Sequence, residues 1–431
     1  MTNVNSNLEF LVEVQKLKEI PRTGLVWLGV PNPPSVADHT FRVAVSSWVL
    51  GKKMDLKIEK MIKTALSHDL CEVYGGDKTP FWGLLPDDEK KRKERLKRWI
   101  RLPLEEKKKR SEEEFEEEKK IFMKLLELAN SELKKEIFSY WVDYKKNLTK
   151  EGKIFLQIDK MEGMLEALEN LDQKDYDYVT PWWEEAEELI TDSFLTLFYK
   201  VIQNKFYSPK AKIEEKIFGF GLKKELEKIL DFILEIGKLK RMPRLYWVLR
   251  GVKNPETVAG HMFTLALMAW VFGREKRNLN QEKLLKMAIC HEMSAVYTGD
   301  TTPYDRILPK DEDERRKILK KMIRLSKKEK EWIFLADYQT EKKAMEKLTQ
   351  NLDSTIRKEI LELWHEYRTR SSLEAKFLGE LNILAVLLQG LIYEKKYKEF
   401  ISAPLWEWAF ESCTDEVCLS LMEEMKKKFY D

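Results

Sequence analysis

What most constrains this chain is that it repeats itself. The segment PRTGLVWLGVPNPPSVADHTF begins at Pro21, and PRLYWVLRGVKNPETVAGHMF begins at Pro243. An offset of 222 residues carries Arg22 onto Arg244, Gly29 onto Gly251 and His39 onto His261. A one-residue insertion then moves the offset to 223. It pairs His68 with His291, Asp77 with Asp300, Trp141 with Trp364, Tyr144 with Tyr367 and Pro181 with Pro404. Register kept over that distance means one domain written twice, each copy taking about half of the 431 residues, an ordinary domain size. We expect a first domain at 1–204, a linker at 205–223 and a second domain at 224–431. The linker reading rests on KFYSPKAKIEEKIFGFGLK, which brings Ser, Pro and Gly where the first copy ends.

Within each copy the apolar residues recur at helical spacing. LEFLVEVQKLKEI, HTFRVAVSSWVLGKKM, IEKMIKTALSHDLCEVY and GKIFLQIDKMEGMLEALEN all follow it, and no segment alternates over strand length. The expected class is all-α. The stretch from Asp87 to about Lys120 is dominated by Lys, Arg and Glu, which predicts a solvated helix pair laced with i,i+4 ion pairs.

Charged residues make up 35% of the chain, a richness that suits heat adaptation or any long exposed helical surface. Lys and Arg (77) nearly balance Asp and Glu (74), which argues against a dedicated nucleic-acid or membrane-surface protein. The four cysteines form no CxxC pair, the N-terminus carries no basic-then-apolar leader, and no apolar stretch approaches the roughly 18 residues that span a bilayer. A cytoplasmic protein with free thiols is the expectation. The aromatic segments YDYVTPWWEEA and APLWEWAF, late in each copy, are expected to pack cores or domain junctions.

Only five histidines are present, and four occupy repeat-equivalent positions: His39, His68, His261 and His291. His365 has no repeat partner and reads as structural. The segment around His68 is expected to be helical, which puts His68, Asp69 and Glu72 on one face. Imidazole and carboxylate are the usual ligands of divalent cations. The apolar neighbours Ala65, Leu66, Leu70 and Val73 mark this segment as buried, where carboxylates without partners are costly.

The ordered set His39, His68-Asp69 and Asp159 resembles the metal signature of HD-domain phosphohydrolases. More narrowly, SVADHTFRVAV, SHDLCEVYGGDKTP and FLQIDKMEGMLEAL are similar to the 5′-deoxynucleotidase branch. With the repeat, the resemblance implies two tandem helical HD domains, and the common two-fold pairing of soluble proteins makes an intramolecular pseudo-dimer the expectation. It implies that His39, His68, Asp69 and Asp159 hold one divalent transition metal (Co, Mn, Ni, Zn or Fe). By position, Glu72 matches the carboxylate that prepares the attacking water, and Asp77 matches a second acidic residue near the phosphate. Arg22 matches the basic residue that meets the phosphate, and Lys78 is an added phosphate contact. The expected partner is a small nucleotide substrate, with no nucleic acid and no membrane. The expected reaction is hydrolysis of a nucleoside 5′-monophosphate by metal-activated water. A triphosphate or cyclic nucleotide, or a nucleotide-sensing role without catalysis, is the alternative.

Read in register, the second copy is damaged. Asp69 becomes Glu292, Glu72 becomes Ala295 and Asp159 becomes Asn382, while Arg244 and Asp300 survive. A longer carboxylate, a lost base and a neutral amide together predict no second hydrolase site. The surviving pair leaves a nucleotide-binding role open.

Overall fold

The repeat is visible in the backbone alone. The computed structural model describes residues 2–431 apart from 80–81, 99, 101, 172–175, 208–219, 303, 305–306 and 322. Left-handed conformations recur in register: Gly29 with Gly251, Gly76 with Gly299, and Asn147 with Arg370. The last two residues close equivalent helices, as αL caps do. Two isolated β-bridges also correspond, Pro21 with Ser35 and Pro243 with Thr257. Every other named element among the described residues is a helix, so the all-α expectation holds.

The chain divides into two compact units. One is Glu13–Ile233; the other joins Met1–Val12 to Leu234–Asp431. Of the expected linker, residues 208–219 lie outside the described residues; its flanks belong to helices Ser193–Tyr207 and Phe220–Gly237.

In the first unit, the elements that build the site are α1 (Thr23–Trp27), α2 (Val36–Lys53), α3 (Ile58–Ser67), α4 (Glu72–Gly75), α5 (Leu104–Leu126), α6 (Ser131–Lys146), α7 (Lys150–Asn170) and α8 (Tyr176–Leu189). Ser35 starts α2 with a capping box. Its hydroxyl accepts from the Asp38 amide at 3.2 Å, and the Asp38 carboxylate accepts from the Ser35 amide at 2.8 Å. Every residue from Val36 to Gly51 is buried, which makes α2 the central helix, packed by α3 and α7.

The second unit repeats this with α9 (Leu245–Leu249), α10 (Val258–Gly273), α11 (Gln281–Cys290), α12 (Ala295–Thr298), α13 (Ser354–Thr369), α14 (Leu373–Lys396) and α15 (Ala403–Ser412). Thr257 caps α10, all of which is buried.

Two expectations need correction. α14 is long and apolar enough to cross a membrane by length and composition, although no such stretch was expected; 72% of that window is buried inside the unit. It is apolar because it is a core helix contacted on several sides. The second correction concerns the segment around His68, which is not one helix. α3 ends at Ser67, residues 68–71 form a turn held by i→i+3 bonds (Leu70 to Ser67 at 3.4 Å, Glu72 to Asp69 at 3.0 Å), and α4 follows. Consecutive residues on a regular helix point about 100° apart. The tightened turn lets His68 and Asp69 face the same point, and α11, His291 and α12 repeat it.

The Lys/Glu-rich stretch contains the helix Glu89–Arg95 followed by α5, with exposed pairs such as Lys93–Glu89 (2.9 Å) and Lys119–Glu116 (3.2 Å). Such pairs contribute only a few tenths of a kcal/mol each.

Candidate metal and catalytic centre

Four side chains from three separate stretches converge beneath α2. His68 turns its Nδ1 to the Ala65 carbonyl at 2.6 Å, and a nitrogen facing a carbonyl must carry the hydrogen. His39 turns its Nδ1 to the buried Glu162 carboxylate. Both rings therefore aim Nε2 inward, and the two Nε2 atoms lie 3.3 Å apart. Asp69 Oδ2 is 3.0 Å from His68 Nε2 and 3.7 Å from His39 Nε2. Asp159 Oδ1 is 3.0 Å from His39 Nε2 and 3.6 Å from His68 Nε2. Ligands bound about 2.1 Å from one ion stand roughly 3.0–3.4 Å apart in octahedral or tetrahedral arrangements. The spacing of His39, His68 and Asp69 therefore fits a single divalent cation, with Asp159 set against both imidazoles.

The electrostatics agree. Burial pushes the His68 imidazole down, but the Asp69 and Asp159 carboxylates outweigh it and raise it to about 10. Asp69, buried but paired with His68, is lowered to about 2. Asp159 is likewise held well below the carboxylate range, burial being overcome by its hydrogen bonds with His39 and His68. The centre thus draws positive charge strongly.

The phosphate-facing candidates sit at the rim. Arg22 caps α1 and donates from Nη1 to Asp77 at 2.7 Å and from Nε to Glu166 at 3.2 Å, with Asp69 3.8 Å away. The second Asp77 oxygen accepts the Thr23 amide, so both oxygens hold the α1 start. Glu72 lines the same cavity as Arg22, Asp69, Asp77, Lys78 and Asp159. Its buried Oε2 has no hydrogen-bond partner, and burial next to Asp69 and Asp77 raises its carboxyl well above the usual range. Lys78 lines the cavity edge and pairs loosely with Glu117 at 3.5 Å. Of the tryptophans in the late aromatic segment, Trp183 is in the core, whereas Trp182 forms cavity wall.

Several supporting groups were not picked out from sequence. Glu162 holds His39 and is itself held by Arg42 Nε at 2.7 Å; Glu166 receives Arg22; the Tyr144 hydroxyl donates to Asp159 Oδ2 at 3.1 Å. Asp159, Glu162 and Glu166 lie at i, i+3 and i+7 on α7, a spacing that places them on one face. That spacing was the available signal. His39, Glu162 and Glu166 also form a potential ligand group. Arg42 and Arg22 already neutralise its two carboxylates, so it serves as the outer support of the centre.

A family model described as HD domain matches residues 14–193 and again 236–408. The chain belongs to the HD domain family. A human protein named 5′-deoxynucleotidase HDDC2 is 37% identical over 166 residues, 38% of this chain and 68% of its own length. Its mouse counterpart is 39% identical over 38% of this chain and 70% of its own length. The Saccharomyces cerevisiae 5′-deoxynucleotidase YGK1 is 25% identical over 52% of this chain and 95% of its own length.

The second HD segment arranges the equivalent positions differently. His261 Nε2 faces Asn382 Oδ1 at 2.8 Å, and the Asn382 amide donates to the Tyr367 hydroxyl at 2.9 Å. With the amide oriented this way His261 is the donor, so its Nε2 offers no lone pair. His291 donates from Nδ1 to Ala288 at 2.7 Å, and its buried Nε2 has no hydrogen-bond partner. Burial lowers it to about 4, because Glu292, 3.9 Å away and turned toward Arg244, does not compensate. Among the described residues, no potential metal-ligand group lies in this unit. Arg244 and Asp300 keep their pairing at 2.9 Å, and Asp300 again accepts the first helical amide.

Proposed function

We propose that the first HD domain, within residues 1–204, is a metal-dependent 5′-deoxynucleotidase that releases phosphate from nucleoside 5′-monophosphates. The observation that carries this reading is one cavity lined by Arg22, Asp69, Asp159 and a buried, unpartnered Glu72 oxygen, with the His39 and His68 imidazoles against the two aspartates. The names of the relatives support the same reaction.

His39, His68, Asp69 and Asp159 hold the metal, a divalent transition ion among Co, Mn, Ni, Zn and Fe. Bound there, it lowers the pKa of water and neutralises phosphoryl charge. Arg22, which lines the cavity, meets the phosphate with the part of its guanidinium that Asp77 and Glu166 leave unengaged. Asp77 keeps that guanidinium in place. Glu72 accepts the proton of the attacking water; burial beside Asp69 and Asp77 raises its carboxyl, which favours taking up a proton. Lys78 adds charge at the cavity edge. The second domain, within 224–431, has neither this ligand set nor a residue in the role of Glu72, and does not hydrolyse.

Phosphate release from ribo- and deoxynucleoside 5′-monophosphates with each of these metals tests the reading. Release that stops in chelator and in Asp69→Ala is expected. Silence with every nucleotide and every metal sinks it.

A further inference from the structure

The second HD segment has lost its metal ligands but not its cavity. A cavity of about 580 Å³ opens beside Arg244, larger than the roughly 150 Å³ at the first centre. Volumes of several hundred cubic ångströms are typical of small-molecule sites. The charge of its wall is reversed. The first cavity is lined by seven acidic and four basic side chains, so an anion is accepted there only once a cation has entered. The second is lined by five basic side chains, Arg244, Arg250, Lys321, Arg324 and Arg368, against two acidic ones, Asp337 and Glu411.

These cations are arranged for a ligand. The Arg250 guanidinium lies over the Tyr246 ring at 4.6 Å, and its buried Nε has no hydrogen-bond partner. The Arg368 guanidinium stands 5.6 Å from the Phe334 ring and pairs through Nε with Glu341 at 2.8 Å. Arg324 is 71% exposed and only loosely engaged, 3.5 Å from Glu407 and 3.4 Å from Glu411. Tyr246, Tyr304 and Trp408 supply aromatic wall between them. Guanidinium groups recognise phosphate oxygens, and aromatic rings stack on a base. We infer that this cavity binds a nucleoside phosphate without metal and without hydrolysing it. Ala295 stands where a base would be needed, and Asn382 and His261 satisfy each other. The second copy is then a ligand-binding module carried beside a hydrolase, and this assignment stands independently of the reaction proposed for the first.

Calorimetric titration of the full chain in chelator tests it, using the four deoxynucleoside 5′-monophosphates, their triphosphates and inorganic phosphate as probes. At least one nucleotide is expected to bind in chelator and to be recovered intact. Asp69→Ala, which disables the first centre, is expected to leave that binding unchanged. Arg324→Ala, an exposed change with little risk to folding, is expected to weaken it about tenfold, the loss of one charge-assisted hydrogen bond. Arg250→Lys, with folding checked by circular dichroism, is expected to weaken it as well. Absence of binding in chelator overturns the proposal, and so does binding that survives both arginine changes or disappears in Asp69→Ala. Inorganic phosphate binding as tightly as every nucleotide removes the aromatic contribution and overturns the nucleoside assignment.

Discussion

His68 and His291 occupy the same turn of the same fold, are equally buried, and hold opposite charge preferences. Both donate from Nδ1 to the carbonyl three residues back. His68 is raised to about 10 because Asp69 and Asp159 close on it, whereas His291, left to burial with only a distant Glu292, falls to about 4. Three substitutions in register, Asp69 to Glu292, Glu72 to Ala295 and Asp159 to Asn382, separate the two environments most directly. A buried ring takes whatever charge its neighbours leave uncompensated, so a few side chains convert a cation-drawing centre into one without that draw.

The strongest attempt to break this comparison is to import the second copy's residue into the first. Asp159→Asn is expected to cut phosphate release by about a thousandfold or more, the several kcal/mol a bound metal supplies. Metal content, measured by mass spectrometry, should fall with it. Retained metal and activity would show that the neutral amide is not what silences the second copy.

Glu72→Ala, copying Ala295, is expected to lose about 10²–10⁴-fold in turnover while the metal stays bound. A parallel loss of metal would assign Glu72 to ligation instead.

Glu162→Ala removes the carboxylate that aims His39, at a position where the second copy has Ala385. A loss of about 10–100-fold in metal affinity is expected, read by competition with a chelating dye, with the fold preserved.

Acid and alkali should separate the units without any mutation. His291 falls from 6.5 to about 4 on folding, so its contribution to stability is complete above pH 6.5 and is lost as pH drops toward 4. In chelator, His68 rises from 6.5 to about 10, so its contribution is complete below pH 6.5 and is lost as pH climbs through 10. Hydrogen exchange in chelator should therefore loosen α11 and α12 first in acid, and α3 and α4 first in alkali. Identical pH dependence in both would remove the electrostatic contrast.

The smallest effect is expected at Lys78, whose ion pair with Glu117 spans 3.5 Å. Lys78→Ala should change KM by no more than about threefold, less than 1 kcal/mol. A larger change would make it a main phosphate contact.

The sequence by itself determined the repeat, the helical class and the candidate set His39, His68, Asp69 and Asp159, because periodicity and ordered motifs are written along the chain. The loss of Glu72 and Asp159 equivalents in the second copy was legible for the same reason. Tertiary structure alone decided what meets what. The break between α3 and α4 follows from packing, since nothing in SHDLCEVY carries a proline or glycine that would announce it. The support of His39 by Glu162 and the grip of Asp77 on Arg22 join residues 123 and 55 positions apart, and the arginine-lined cavity of the second unit gathers residues from several helices. Charge compensation acts through space, and a one-dimensional pattern holds the charges but not the distances between them.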